Sequence, residues 1–341
     1  MTSQKALITL FVGAALIAAP WFLYPVFLMK VLCFGLFACA FNLLLGYVGL
    51  LSFGHAAYFG GAAYISAHLV KVGTVSLPYW AGSWQWANFS FGPVTPEIGI
   101  LAGVLFATLL GLLFGSLAIR RQGIYFSMIT LALAQMFDLF CVQAPFTGNE
   151  DGIQAVPRTA MFGFIDISTE TRLYYVVLAI FLIGFGIIYR TIHSPFGQVL
   201  KAIRENEPRA ISLGYNVDRF KLIAFVLSCA MAGLAGATKA IVFRLASLTD
   251  VGFQMSGEVV LMTLVGGIGT ILGPVAGATI VVGMQNYLAT LGEWVLVIQG
   301  LIFVLCVLLF RRGVVGEVLA WWRRRHAPAE ADTAAKPVTA H

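Results

Sequence analysis

The chain is 341 residues long, 60% of them apolar and only 11% charged, with a net charge of +6. A soluble domain carries about a quarter charged residues, so this composition excludes a soluble globular protein and places the chain in a lipid bilayer. The positive balance is not a nucleic-acid signal, because the basic residues gather in a few short loops between apolar runs, as the positive-inside rule expects.

A helical span needs about twenty apolar residues, and the polar breaks leave room for about ten spans and no large domain outside the membrane. The first is predicted over residues 6–24. Lys5 and the run to Ala19 imitate a signal peptide, but Pro20 would obstruct cleavage after Ala18-Ala19 and further spans follow, so this helix reads as uncleaved. The second covers residues 25–45, with Lys30 near one end. Residues 46–67 crowd Gly46, Gly49, Gly54, Gly60 and Gly61 around the polar Ser52 and His55. Glycines this dense permit close helix contact or a broken helix at membrane depth, and a third span is predicted over residues 55–70. Trp80, Trp84 and Trp86 lay the segment 73–97 along a membrane–water interface. Spans four and five are predicted at 98–118 and 123–142, separated by Arg120 and Arg121. Thr130 and Gln135 are polar groups inside the fifth, and Asp138 lies towards its far end. Residues 144–172 form an external loop whose TGNEDG run (147–152) uses turn residues, with a protein contact as the alternative role. Span six is predicted at 173–189.

Residues 193–219 break the apolar pattern. Lys201, Arg204, Glu205, Glu207, Arg209, Asp218 and Arg219 form a polar island that hydrocarbon cannot accommodate, so it protrudes into water. Ser194 is a helix cap and Pro195 suits the first helical position. Val199, Leu200 and Ile203 fall at helical spacing. Pro208 starts a second short helix, which Gly214 ends in a left-handed conformation. Asp218 is placed to cap the helix that follows. Span seven, residues 220–243, carries a small-residue stripe with Gly233 and Gly236 that permits tight packing, and Lys239 is expected to snorkel outward. Residues 255–265 form a short apolar piece that reads as a re-entrant or half-length helix before the glycine run 266–274 and is counted as one of the ten spans. Further spans are predicted at 275–291 and 294–310. Residues 1–326 make one membrane domain, and the tail 327–341 is expected to be disordered. Alternating from Lys5 inside through ten spans puts Arg120 and Arg121, residues 193–219, and the Arg311 and Arg323–Arg325 clusters on the same side. That places both termini in the cytoplasm.

No G-x-x-x-x-G-K-[ST] string occurs, so the phosphate cradle of an ATPase is missing from this chain. The five histidines show no metal-ligand spacing. The five cysteines are scattered within apolar runs and read as small packing residues. Neither a metal site, a cofactor nor a catalytic group is expected. A weak, polar-lined passage is the chemistry that remains. Its candidate lining is Ser52, His55, Thr130, Gln135, Gly266, Gly267 and Gly269, which are polar or backbone-exposing groups inside apolar segments. His55 either faces this passage or is a packed, hydrogen-bonded side chain.

Glu207, Ala210 and Gly214 resemble the E-x-x-A-x-x-x-G core of the cytoplasmic coupling loop in ABC importer permeases. The wider string SPFG-x-x-L-x-AIRENE…LG-x-N-V-x-R-x-K-L-x-AF resembles LivM-like permeases of branched-chain amino-acid and urea-type importers. So do SFGHAAYFG (52–60), GIYFSMITLALAQ (123–135) and the glycine run 266–274, and the likeness covers nearly all of residues 30–313. In TGNEDG, Asn149 stands where the family has glycine. The resemblance implies an all-α polytopic transmembrane bundle with the ten-span architecture of vitamin-B12-type importer permeases, in a bacterial inner membrane. It implies a second, LivH-like permease subunit, two cytoplasmic ABC ATPases and an extracytoplasmic solute-binding protein. Arg204, Glu207, Arg209, Ala210 and Gly214 would then couple the bundle to an ATPase. Glutamine at the family position of His55 argues for hydrogen bonding there. Leucine, isoleucine and valine are the family's default solutes, while relatives use urea, amides, and aromatic or carboxylic acids. Two rivals remain: an ATP-independent secondary transporter or urea-like channel, for which Asp138 and Glu258 are the near carboxylates, and a structural subunit of a larger membrane complex.

Overall fold

The computed structural model describes residues 18–80, 84–90, 92, 94–121, 123–161, 163, 166–288, 292, 294–309, 313 and 316–317. The body of the expected first span and the expected tail lie outside the described residues. Helix α1 (Pro25–Asn42) runs on into a π-helical turn, Leu43–Val48, that ends at Gly49 in the left-handed region, φ 83°. Then follow α2 (His55–Lys71), α3 (Pro96–Ala118), α4 (Ile124–Gln143) and α5 (Glu170–His193). Two short helices, α6 (Pro195–Glu205) and α7 (Glu207–Ser212), lead to α8 (Val217–Phe243). The chain continues through α9 (Phe253–Gly266), α10 (Gly273–Leu288) and α11 (Trp294–Leu309). Five of the described helical stretches are long and apolar enough to cross a membrane: Pro25–Val48, Pro96–Ala118, Ile124–Gln143, Glu170–His193 and Val217–Phe243.

Burial separates an inner from an outer set. From Met29 to Leu44 nearly every residue of α1 and its extension is buried, with α5, α8, α9 and α10 packed around it. Helix α2 is clasped between α3 and α8. Outside, α3 turns Leu101, Leu105 and Leu109 outward and α4 turns out Met128, Met136 and Leu139. Water would penalise such faces but hydrocarbon does not.

Between apolar helices in lipid, hydrophobic burial supplies little drive, so backbones must approach closely to gain dispersion contacts. The small-residue stripe of α8 does this. Gly236 sits on the Phe59 carbonyl, where a Cβ would collide with it, and Gly233 faces Ala107 across the α3 contact.

Three local expectations are revised. Segment 73–97 is not a plain loop: within it β1 (Thr74–Trp80) pairs antiparallel with β2 (Trp84–Ser90), Thr74 opposite Ser90. Pro78 is tolerated because a two-stranded sheet consists of edges only. The cap of α8 is Asn216, whose side chain accepts from the Arg219 N–H, and Asp218 lies inside the first turn. Lys239 does not snorkel outward. It is buried and pairs with Asp250 at 2.5 Å. Asp250 is fixed in turn by Ser247, whose backbone N–H and hydroxyl both reach it.

At the end of the bundle that carries Asp250, the 144–172 loop is tied to the end of α8. Arg158 donates to the Val242 carbonyl (2.6 Å), Arg244 donates to the Val156 carbonyl (3.0 Å), and β3 (Ile153–Gln154) pairs with β4 (Leu245–Ala246). Gly148 and Gly152 both hold positive φ in the TGNEDG turn.

The close approach at Gly236 is testable against a glycine with space around it. Gly236→Ala must push α8 off α2, at about 1–3 kcal/mol of overpacking. Gly283→Ala, where nothing lies within 4 Å, should gain up to about 1 kcal/mol of helix propensity. Thermal unfolding of the purified protein followed by size-exclusion chromatography is expected to show a clear loss for the first substitution and none for the second.

Candidate functional site

The polar segment folds as an elbow with a small core of its own. The Ser194 hydroxyl oxygen accepts from the Gly197 N–H and starts α6, and the Asn206 side chain accepts from the Arg209 N–H and starts α7. Gly214 turns the chain at φ 88°. Ile203, Ala210 and Val217 are buried against one another, with Val199 and Phe220 packed alongside. Ala210, on α7, meets Ile203 of α6 and Val217 at the root of α8. Glu207 is engaged as well, accepting from Lys221 at 2.6 Å, and the Lys221 side chain is only 4% exposed. Removing one member of such a pair strands the other, which costs about 3–5 kcal/mol when both are buried and less here, where Glu207 is partly wet.

A second set of contacts ties the elbow to the membrane helices. The Arg204 guanidinium donates to the Gly46 carbonyl, in the last turn of the α1 extension, where carbonyls lack an intrahelical donor. The Arg204 stem also lies against Gly49, and the Lys201 ammonium sits over the Tyr47 ring at 5.7 Å. Gly46 touches the backbone of Gly269, and a side chain at Gly46 would strike both Gly269 and the Asn42 amide. Asn42 secures that junction from the other side, donating to the Thr270 carbonyl (2.8 Å) and accepting from the Gly269 N–H (2.9 Å). One end of the bundle thus gathers the elbow, the end of α1 and the loop between α9 and α10. The outward tip of the elbow is mixed: Arg209 is exposed, and so are Ile211 (56%), Leu213 (70%) and Tyr215 (41%).

The candidate lining residues fall into three separate places. Ser52, His55 and Thr130 are buried where α1, α2, α4 and α8 meet. Ser228 donates to the Ala40 carbonyl at 2.6 Å, so its oxygen accepts from His55 Nε2 at 2.9 Å and the ring carries its proton on Nε2. Phe41, Tyr58 and Phe225 meet the ring edge-on. Ser52 accepts from the Gly54 N–H, and Thr130 donates to the Ser127 carbonyl. In this conformation these are enclosed joints. Gly266, the last residue of α9, and Gly267 are buried, and Gly269 in the loop that follows is half-buried beside Arg204. Gln135 is exposed on the outer face of α4, away from both groups.

Sequence reasoning passed over Asn42, Ser127, Ser228 and Ser256, the last of which accepts from the Ala56 N–H at 3.0 Å. Each is a polar residue inside an apolar run, and that signal was available. It also missed a cavity of about 360 Å³ at the end opposite the elbow, lined by Lys30, Lys239, Asp250, Gln254, Glu258 and Gln285 among others. Among the described residues no group of three His, Cys, Asp or Glu side chains could hold a metal ion.

Comparison with known proteins shows the family. Residues 25–307 match the family described as branched-chain amino acid transport system / permease component. The chain is 25% identical over 298 residues to the high-affinity branched-chain amino acid transport system permease protein LivM of Salmonella typhimurium, and equally to that of Escherichia coli. That match covers 80% of this chain and 65% of the relative. It is 21% identical over 303 residues to LivH of Salmonella typhimurium, covering 83% of this chain and 91% of the relative. These relatives are transport permease subunits rather than enzymes. No solved structure matches the chain.

The histidine joint yields a stability prediction. Ser228→Ala leaves the buried His55 N–H without its acceptor and should destabilise the protein by about 1–3 kcal/mol, whereas His55→Gln retains a donor and should cost less. Thermal denaturation of the two variants checks the order; equal stability of Ser228→Ala and the native protein would remove the joint.

Proposed function

The chain belongs to the branched-chain amino acid transport system / permease component family, and on that premise we propose that it is the membrane subunit of an ATP-driven importer in a bacterial inner membrane. It works beside a second, LivH-like permease subunit, with two cytoplasmic ABC ATPases supplying the drive and an extracytoplasmic binding protein delivering the solute. Branched-chain amino acids are the proposed cargo. The elbow of residues 193–219 faces the cytoplasm, and the full bundle has about ten spans in the vitamin-B12-importer arrangement, with Lys5 and the arginines of 311–325 on the cytoplasmic side.

The observation that carries this reading is the construction of the elbow. A water-exposed segment that holds its own core, yet presents Ile211, Leu213 and Tyr215 outward around Arg209, has the features of a protein-docking surface. Ala210, Gly214 and the Glu207–Lys221 pair keep the tip in shape, and Arg204 faces the other way, onto Gly46. When the ATPases close, the elbow moves with them. Arg204 carries that displacement to the end of α1 and to Gly266, Gly267 and Gly269, and the bundle exchanges one cavity opening for the other. The buried Ser52, His55 and Thr130 then belong to joints that shift between two packings, while Gln135 lies on a face available to the partner permease.

Docking and transmission separate by mutation. Arg209→Glu is expected to reduce co-purification of the ATPases. Arg204→Met is expected to leave them bound while cutting solute transported per ATP by about tenfold, a coupling energy within the usual range. Native transport stoichiometry in both variants would contradict the coupling role. Uptake by vesicles lacking ATPases would make the chain an ATP-independent transporter instead.

A further inference from the structure

The cavity at the end opposite the elbow has an unusual charge arrangement for a membrane protein. Four of its lining residues are charged, and they come from four elements of the chain: Lys30 on α1, Lys239 on α8, Asp250 in the turn after it and Glu258 on α9. Two of them satisfy each other. Lys239 and Asp250 pair at 2.5 Å, both buried, and the Ser247 contacts hold the carboxylate in place. Lys30 and Glu258 do not. Among the described residues the ion pairs within 4.0 Å are Arg172–Asp166, Lys221–Glu207 and Lys239–Asp250. Lys30 and Glu258 are both half-buried and line the same cavity. The Lys30 ammonium lies over the Phe34 ring at 5.9 Å, and Gln285 lines the same cavity as Glu258.

Holding two opposite charges apart in an apolar bundle is costly, and ionisable residues kept in a membrane helix ordinarily serve a ligand or a pathway. A molecule that bears both charges a few ångströms apart would satisfy the two at once. The remaining wall is mixed: Thr249, Gln254 and Gln285 are polar, while Phe34, Phe243, Leu245 and Met255 suit an aliphatic body. The volume of about 360 Å³ falls at the lower end of ligand pockets, which run roughly 300–1,000 Å³. That is room for a small metabolite.

We propose that this cavity is an entry site for a zwitterionic α-amino acid, with the carboxylate on Lys30, the ammonium on Glu258 and an aliphatic side chain against Phe34, Phe243 and Met255. The inference rests on the transport reading above and adds to it where the solute first meets the bundle. Because the walls are partly wet and the Lys239–Asp250 pair is already neutral, binding is weak, which favours onward release.

The test is leucine uptake by proteoliposomes that carry the complete importer with its cognate partners, at saturating binding protein, normalised to assembled complex. Lys30→Gln and Glu258→Gln should each lower uptake at least tenfold, and Lys30→Arg and Glu258→Asp should recover a large part of it. Native uptake in both neutral variants overturns the entry site and leaves the transport reading standing. A loss in only one of them overturns the zwitterion, because the solute is then held by a single charge. Equal losses in the neutral and charge-keeping variants also overturn it, by showing that the two residues only support the fold. If the native importer moves no amino acid but does carry an uncharged or singly charged solute, the cargo reading itself fails, and the entry site with it.

Discussion

Among the contacts through which the water-exposed elbow reaches the membrane bundle, a guanidinium on a backbone carbonyl ties it to the inner helix. Arg204 meets Gly46 where α1 has widened into a π-turn, at a carbonyl that the helix itself does not use. Both requirements come from the bilayer. An unsatisfied backbone group near hydrocarbon costs several kcal/mol (roughly), and a long charged side chain in the elbow can reach it only if no side chain stands between. Glycine at position 46 meets that condition, and it also lets the α9–α10 loop approach closely enough for Asn42 to bind both Gly269 and Thr270. The elbow, the inner helix α1 and the half-length helix α9 therefore share one junction.

The same reasoning accounts for the interior. With no hydrophobic drive between helices in lipid, the structure uses close backbone approach and polar joints. Gly236 on the Phe59 carbonyl supplies the first. His55, Ser228 and the Ala40 carbonyl supply the second, linking α1, α2 and α8 through two hydrogen bonds. Such joints hold a definite geometry yet involve few groups, which suits a bundle that must change from one packing to another.

What could be read in advance was local. Ser194, Pro195, Pro208 and Gly214 carry their capping and turning roles in their own chemistry, and each acts as expected. The small residues around Gly233 and Gly236 announced close packing by composition alone. Two cap-competent side chains, Asn216 and Asp218, stood two residues apart, and nothing local decides between them. The aromatic run at 74–90 signals a membrane interface and a strand equally well, and only the former was read. Pairings across the fold were beyond reach. Lys239 meets Asp250 only because the chain reverses between them, and Arg204 finds Gly46 across 158 residues. Lys30 and Glu258 each appeared as an isolated charge until the fold placed them on one cavity.

Among the described residues the free cysteines Cys33, Cys39, Cys141 and Cys229 are all buried, and Cys306→Ser removes the fifth, so the background for thiol labelling is low. The most direct measurement is the reactivity of a Leu213→Cys variant, at the tip of the elbow, towards a membrane-impermeant maleimide, with and without the ATPases assembled. Labelling from the cytoplasmic side alone, blocked once the ATPases are bound, is the expected result. Labelling from the outer side, or labelling that the ATPases leave unchanged, would contradict the elbow as the point where the drive enters the bundle.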